Sequence, residues 1–396
     1  MPSRWGLIMR LGIVGGKLQG IECAYLARKA GYETVVIDRH DNAPALSLAD
    51  EAAVLDVISQ AEEAKRVLSD CDAVLPANEE LSTLTALDRM SRRSEVPLLF
   101  DLSAYRTSSS KLLSNELLKG LNVPMPLPWP DCSYPVVVKP SSLSGSAGVM
   151  RADDKDGLAR GLQRVKELND GAVVQEFVEG PSISIEVIGD GKNAVPLVTT
   201  EVIIDYSYDC RMVKCPLTGV DAEVEASFRE WGRRIAEHMS LRGIMDVEAI
   251  VHKGVPKVLE IDARMPSQTP AATYNATGVN LIEVLVDAIV RGRLEAPVPR
   301  QGAAIYEHLA IDGDAMRSCG EGVFAQVRRP KLMRGLFGSD EMITDYEPGR
   351  KSWRATMICT GATPDEAWEK RSGCIGRIIE SNQISQYADP GMEVRA

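Results

Sequence analysis

Apolar residues arrive along this chain in short runs separated by amphipathic stretches, the pattern of strands alternating with helices. Leu11-Gly12-Ile13-Val14 reads as a buried strand, Gly15-Gly16-Lys17-Leu18-Gln19-Gly20 as a glycine turn, and Ile21 to Ala30 as a helix that Gly31 stops. A second apolar strand, Thr34-Val35-Val36-Ile37, ends at Asp38, and Ala73–Pro76 and Pro97–Phe100 continue the series with helical segments between. Residues up to about 105 therefore predict a doubly wound α/β domain with a parallel sheet.

Beyond Asn122 the pattern breaks at Val123-Pro124-Met125-Pro126-Leu127-Pro128-Trp129-Pro130, which cannot continue a helix and predicts a boundary. A strand at Val136–Lys139 leads into the small-residue loop Ser141 to Gly148, then a helix from about Asp156 to Leu168 and a strand at Ala172–Gln175. From Ser182 onward, strands such as Ile183–Ile188 and Ala249–Val251 alternate with helices, one of them spanning about Glu223 to Met239. There is no internal repeat and no low-complexity tract.

At 396 residues the chain exceeds the roughly 250–300 at which single cores stop growing, so two or three domains are expected. Hydrophobic residues at 44% and charged residues at 26% match a globular protein rather than a disordered one. A net charge of −11 argues against nucleic acid as the main partner, since phosphate-backbone binding needs clustered cations. No apolar run reaches the roughly 20 residues of a spanning helix, so no membrane partner and a cytoplasmic location are expected. The eight cysteines are scattered without a CxxC pair and read as reduced thiols. Met1 to Ile8 read as an extension, with Met9 as an alternative start.

The glycine turn after the first strand invites a dinucleotide reading, but its glycines miss the G-x-G-x-x-G register. A ligand-free βα turn remains open, as does a turn whose Lys17 and Gln19 face a cleft. Pro76-Ala77-Asn78-Glu79 lies at the carboxyl end of a strand, the edge where open α/β sheets bind ligands. Glu79 there can accept from an amine, or cap the next helix with Asn78.

The richest chemistry lies between Gly243 and Arg264. Two strands pair through a turn at Lys253-Gly254-Val255-Pro256, and strand alternation sets Glu248 on a face with Asp246 and Ile250, and Glu260 on one with Asp262 and Arg264. Like charges packed together repel and are costly to bury, so the pattern asks for a cation; magnesium suits it because it takes carboxylate oxygens together with substrate phosphates. An exposed hairpin salt-bridged to Arg264 is the alternative.

A glutamate followed twelve positions later by Glu-x-Asp-x-Arg resembles the metal-binding hairpin of ATP-grasp ligases. That resemblance implies ATP and magnesium, two ions, held by Glu248, Glu260 and Asp262, with Arg264, Glu260 and Lys139 as the catalytic set. It further implies a doubly wound domain over 1–107, a small ATP-grasp lobe with a lid loop over 108–180, and an α+β lobe over 181–396, the two lobes sandwiching ATP. Lys111 and Lys139 match the family's phosphate-binding lysines. Ser144, Gly145 and Ser146 match its lid, and Gln175, Glu176, Phe177 and Val178 the linker whose backbone reads adenine. Lys17, Asp38, Asp56 and Val57 join the nucleotide-contacting set by the same resemblance.

Longer strings, among them Gly15–Gly20, Tyr208–Val213, Glu260–Pro270 and Ile305–Leu309, are similar to the pyrrolysine-biosynthesis ligases of that superfamily. These imply joining the carboxylate of 3-methyl-D-ornithine, or D-ornithine, to the side-chain amine of L-lysine through an acyl phosphate. Leu18, Gln19 and Glu79 would then lie near lysine. Ser184, Glu186, Tyr208, Asp209, Asp246, Arg264, Ser267, Gln268 and Thr269 would lie near the ornithine-like partner. Ligases of this fold often pair, which leaves a homodimer open. His308, one of four histidines, reads as a core residue. The rival readings are another amino-acid ligase or biotin carboxylase-like enzyme, a nicotinamide dehydrogenase, and a non-catalytic nucleotide-binding regulator.

Overall fold

The computed structural model describes residues 8–205 and 208–387, so all but Ile8 of the expected leader lies outside the described residues. The first apolar runs form a four-stranded parallel sheet in the order Glu51–Val54, Glu33–Asp38, Arg10–Val14, Ala73–Pro76. Their alternating apolar residues bury fully, Leu11, Ile13, Val35 and Val36 being 0% exposed. Pro97–Phe100 does not continue the sheet as a strand: it contributes only a bridge between Val74 and Leu98. Pro97 has no N–H to donate, and within four residues Asp101 caps the next helix by accepting from the backbone of Ser103 and Ala104.

The glycines of the first turn have a packing cause. Gly15 sits at φ +119, and a Cβ there would lie 2.2 Å from the Ala77 carbonyl oxygen; one on Gly20 would lie 2.2 Å from the Gly15 oxygen. The turn thus presses against both the neighbouring strand end and its own helix, Leu18–Lys29. Gly15→Ala is expected to cost about 1–3 kcal/mol from the backbone conformation alone, and more through the clash. Chemical denaturation of the variant measures this.

The small lobe is a three-stranded antiparallel sheet, Met150–Ala152, Val136–Pro140, Ala172–Glu176, with Val136, Val138, Leu158 and Val165 as its core. The helix Lys111–Gly120 precedes it, yet buries Leu118 against Ile185, Phe228, Ile235 and Val247 of the last lobe. That lobe is built on a ten-stranded sheet, ordered Val255–Asp262, Arg242–His252, Ser182–Asp190, Ala194–Ile204, Cys210–Cys215, Ala303–Asp312, Ser352–Gly361, Glu341–Thr344, Lys331–Arg334, with Ala315–Ser318 added beside Ala303–Asp312. The region after residue 313 therefore extends the same sheet, and the helix Pro364–Asn382 packs on it.

The parallel-sheet domain is welded to this lobe rather than tethered. Ile21, Ala24 and Leu26 share one apolar cluster with Ala271, Leu281, Ile282 and Leu285. Within that seam Glu22 accepts from the Ala271 N–H at 2.6 Å, and Glu341 takes both the Tyr25 hydroxyl at 2.7 Å and Lys29 Nζ at 2.6 Å. The weld holds the glycine turn and Glu79 over the end of the acid-bearing hairpin. All eight cysteines are free. His308 is fully buried, bonded through Nδ1 to the Thr356 hydroxyl and stacked on Phe324, and burial pushes its pKa down to about 3. Among the described residues no helix is long and apolar enough to cross a membrane.

Candidate active site

Three adjacent strands bring the acids into register. Ser184, Glu248 and Glu260 stand side by side across Ser182–Asp190, Arg242–His252 and Val255–Asp262; Glu186, Asp246 and Asp262 form the next row. Because side chains alternate along a strand, both rows face the same way. A bulge beside Glu248 and Glu260 follows, and there the Leu259 carbonyl accepts from Lys139 Nζ at 3.1 Å. Lys111 Nζ reaches in from the N-terminus of its helix to Glu260 at 2.8 Å and to the Leu143 carbonyl at 2.7 Å. Burial lowers Lys139 to a pKa of about 8, leaving a cation that is cheap to neutralise and eager for a phosphate oxygen.

The acids are not comfortable. Loss of hydration, then Glu186, raises Asp246, although the Ser184 hydroxyl bonds its carboxylate; loss of hydration also raises Asp262 to about 6, against the pull of Arg264. Glu248 is raised well above its ordinary range by loss of hydration, then by Asp246 and Glu260. Solvent still reaches Glu248 from the cleft, so crowding of like charges is the firmer cause. Beneath them Glu186 is fully buried with neither oxygen hydrogen-bonded, close to a Thr269 hydroxyl that closes no bond to it.

Among the described residues no three carboxylate, histidine or cysteine side chains converge into a ready-made metal cage. Lys111 pairs with Glu260 and Arg264 with Asp262, each at 2.8 Å. The donor set still fits magnesium: Glu248 faces Glu260 across the hairpin, and Asp262 Oδ1 is buried without a partner. Magnesium commonly binds through one or two carboxylates plus phosphate, so a three-acid cage is not required.

The expected nucleotide residues divide between two places. Lys111, Lys139 and the linker lie between the small and last lobes. In the linker, the Glu176 and Phe177 N–H groups already donate to the Leu127 and Pro135 carbonyls, and the Glu176 carboxylate accepts from Lys257 Nζ at 2.5 Å. Reading of a purine edge by those two N–H groups is therefore not available, which leaves that of Val178. Gln175 Oε1 is buried and unpartnered. Lys17, Asp38, Asp56 and Val57 instead line a cavity in the parallel-sheet domain, with Leu18, Gln19 and Glu79. There Asp38 accepts from the Gly16 and His40 N–H groups at 2.7 and 2.8 Å, and Asp56 from those of Ile58 and Ser59, so both acids first of all shape their own loops.

Glu79 does not cap the following helix. One oxygen takes Gln19 Nε2 at 2.9 Å and Arg264 Nη2 at 2.7 Å; the other takes the lid hydroxyl of Ser144. Asn78 spends its side chain on the Val14 carbonyl and the Glu80 N–H, a structural role. The lid also touches the last lobe, where the Ser146 hydroxyl donates to the Tyr208 carbonyl at 2.7 Å.

A second cavity opens beside the first, lined by Ser144–Ser146, Tyr208, Asp209, Asp246, Glu248, Glu260, Asp262 and Gln268–Thr269. Arg264, Ser267 and Glu321 line both. Arg264 joins them electrostatically, with Nη2 on Glu79 and Nε on Asp262 at 2.8 Å. Ser184 and Glu186 lie below the floor rather than on it. Glu321, from the short helix Glu321–Phe324, is the residue that sequence reasoning passed over. Its only local signal is a glutamate between Gly320 and Gly322, and those glycines make room for Asp209.

Residues 108–268 match the model of an ATP-grasp domain and residues 11–99 that of a PylC-like N-terminal domain. The chain is 40% identical over 313 residues to a 3-methyl-D-ornithine–L-lysine ligase of Methanosarcina mazei, covering 78% of this chain and 81% of that protein. It is 40% identical over 355 residues to the protein of the same name from Methanosarcina barkeri, covering 89% and 90%. A biotin carboxylase from Campylobacter jejuni, solved as a beta-gamma-ATP complex, has the same fold, with a TM-score of 0.75 at 14% identity over 95% of this chain and 92% of that one.

Proposed function

The chain belongs to the family of ATP-grasp 3-methyl-D-ornithine–L-lysine ligases, and from that premise we propose that it joins the carboxylate of 3-methyl-D-ornithine to the ε-amine of L-lysine. The observation that carries the reading is Arg264, which binds Glu79 of one cavity and Asp262 of the other. An amine pocket and a phosphoryl-transfer site thus share one cation.

When bound, ATP with magnesium supplies the phosphoryl group that turns the carboxylate into an acyl phosphate and the charge that makes its transfer feasible. Glu248, Glu260 and Asp262 would hold the cation, two ions in the fuller form of this reading. Lys111 and Lys139 stand where they neutralise phosphate oxygens, and Arg264 stabilises charge developing on the transferred group. Ser144 and Ser146 close the lid over both cavities and exclude water that would hydrolyse an activated carboxylate. Glu79, with Gln19, binds the ε-ammonium. The cavity around Asp246, Ser267, Gln268 and Thr269 takes the ornithine-like partner, an amino group of which answers the cavity-lining acid Asp246, with Glu186 beneath adding negative charge.

Release of ADP that requires both lysine and 3-methyl-D-ornithine or D-ornithine is the direct test; no stimulation by that pair across an amino-acid panel would overturn the reading. Glu79→Gln removes a charge-assisted hydrogen bond of about 1.5–3 kcal/mol. It is expected to raise KM for lysine by about 10–100-fold and to move KM for the ornithine substrate little, which steady-state kinetics with each substrate varied would reveal.

A further inference from the structure

Glu79 binds an ammonium well but is badly placed to take a proton from it. Both its oxygens are occupied, by Gln19, Arg264 and Ser144. The ligation nevertheless needs a base, because a protonated amine has no lone pair with which to attack.

We infer that Glu321 is that base: it is the carboxylate at which the amine cavity and the acyl cavity meet. The inference rests on the ligase reading above and goes beyond it. Oε2 of Glu321 is fixed by the Ser267 hydroxyl at 2.9 Å and by Gln268 Nε2 at 3.1 Å, on a residue that lines both cavities. Gln268 itself is held at φ +76, immediately before the helix Thr269–Thr277. The charged and titratable groups around Glu321 are Arg264 from the end of the acid hairpin, Asp209 from the loop before Cys210–Cys215, and the Cys210 thiol. Burial, then Asp209, holds the Glu321 carboxyl above its ordinary range, against the pull of Ser267, Arg264 and Gln268; that brings its basicity closer to the working pH.

In the step, Glu321 accepts one proton from the ε-ammonium, and the freed nitrogen lone pair attacks the acyl carbon. The C–N bond forms, the C–O bond to phosphate breaks, and the second amine proton leaves with the departing phosphate. Glu321 returns its proton to solvent.

Hydroxylamine is a nucleophile that needs no deprotonation near neutral pH, and it separates this role from the rest of the site. Wild-type enzyme with ATP, magnesium and 3-methyl-D-ornithine should form the hydroxamate; if it does not, the ligase reading fails before Glu321 is tested. In Glu321→Gln, lysine ligation should fall by about 10²–10⁴-fold while hydroxamate formation stays within a few-fold of wild type. Glu321→Asp should recover part of the ligation with an altered acid limb of its pH profile. Loss of both reactions together in a variant of unchanged melting temperature, or normal lysine ligation by Glu321→Gln, would overturn the inference.

Discussion

Glu248→Gln is expected to raise the melting temperature of the nucleotide-free protein while lowering turnover by about 10³-fold. The two effects have one cause. Glu248 is charged against Asp246 and Glu260, which raises its pKa in the folded state. A group whose folded pKa lies above its unfolded value stabilises below the unfolded pKa, and that contribution is lost as pH rises through the folded one. For the neighbouring Asp262 the window runs from about pH 4, the ordinary carboxylate value, to about 6, and for Glu248 it extends higher. The gap in melting temperature between variant and wild type should therefore widen as pH rises from 4 through 8. Magnesium with nucleotide should stabilise the wild type more than the variant and close the gap. A variant that melts lower than wild type at every pH would show that Glu248 is not repelled in its site. Glu260→Gln gives the contrast: it also abolishes turnover, but it strands Lys111, so no gain in stability is expected.

The largest loss of stability should follow Arg371→Met. Arg371 and Glu307 are each 0% exposed and pair through two hydrogen bonds, Nε to Oε2 at 2.7 Å and Nη2 to Oε1 at 2.8 Å. Tyr387 accepts from the same guanidinium at 3.0 Å, and Trp368 lies against it at 4.8 Å. Removing the cation leaves a buried carboxylate uncompensated, at a cost of about 3–5 kcal/mol. Arg371→Met together with Glu307→Leu should recover most of that loss, since a matched apolar pair avoids desolvating both charges. Urea unfolding of the single and double variants measures both. A single variant within about 1 kcal/mol of wild type would mean that water reaches Glu307. The pair pins the helix Pro364–Asn382 to the sheet, far from the acid hairpin, so the double variant should keep its activity.

Much of the site was legible because it is local. The spacing of Glu248 and Glu260 and the Glu-x-Asp-x-Arg string needed only strand alternation to predict acids on one face. Lys111, Lys139 and the lid followed from resemblance in chain order, and each reaches the acid-bearing hairpin or the cavities beside it. Where sequence reasoning fell short, the missing term was a partner distant in the chain. Asn78 and Glu79 are adjacent and equally able to cap a helix; only the arrival of Arg264 and Ser144 draws Glu79 into the cleft instead. The resemblance assigned the linker backbone to adenine, while the partners that take the Glu176 and Phe177 N–H groups, the Leu127 and Pro135 carbonyls, are distant in the chain.

The sequence by itself determined most of the elements, though not the fate of Pro97–Phe100, together with the two-residue period that turns acids to one face and the glycines that let the first turn close. Tertiary structure alone decided that Ser184, Glu248 and Glu260 share a row, because cross-strand register depends on which strands pair. It alone brought Glu321 to the seam of two cavities. That placement follows from welding the parallel-sheet domain onto the ten-stranded lobe through Ile21, Leu26, Leu281 and Ile282. Burial of apolar surface drives that weld without direction, and the polar groups carried along with it line the two cavities of the candidate site.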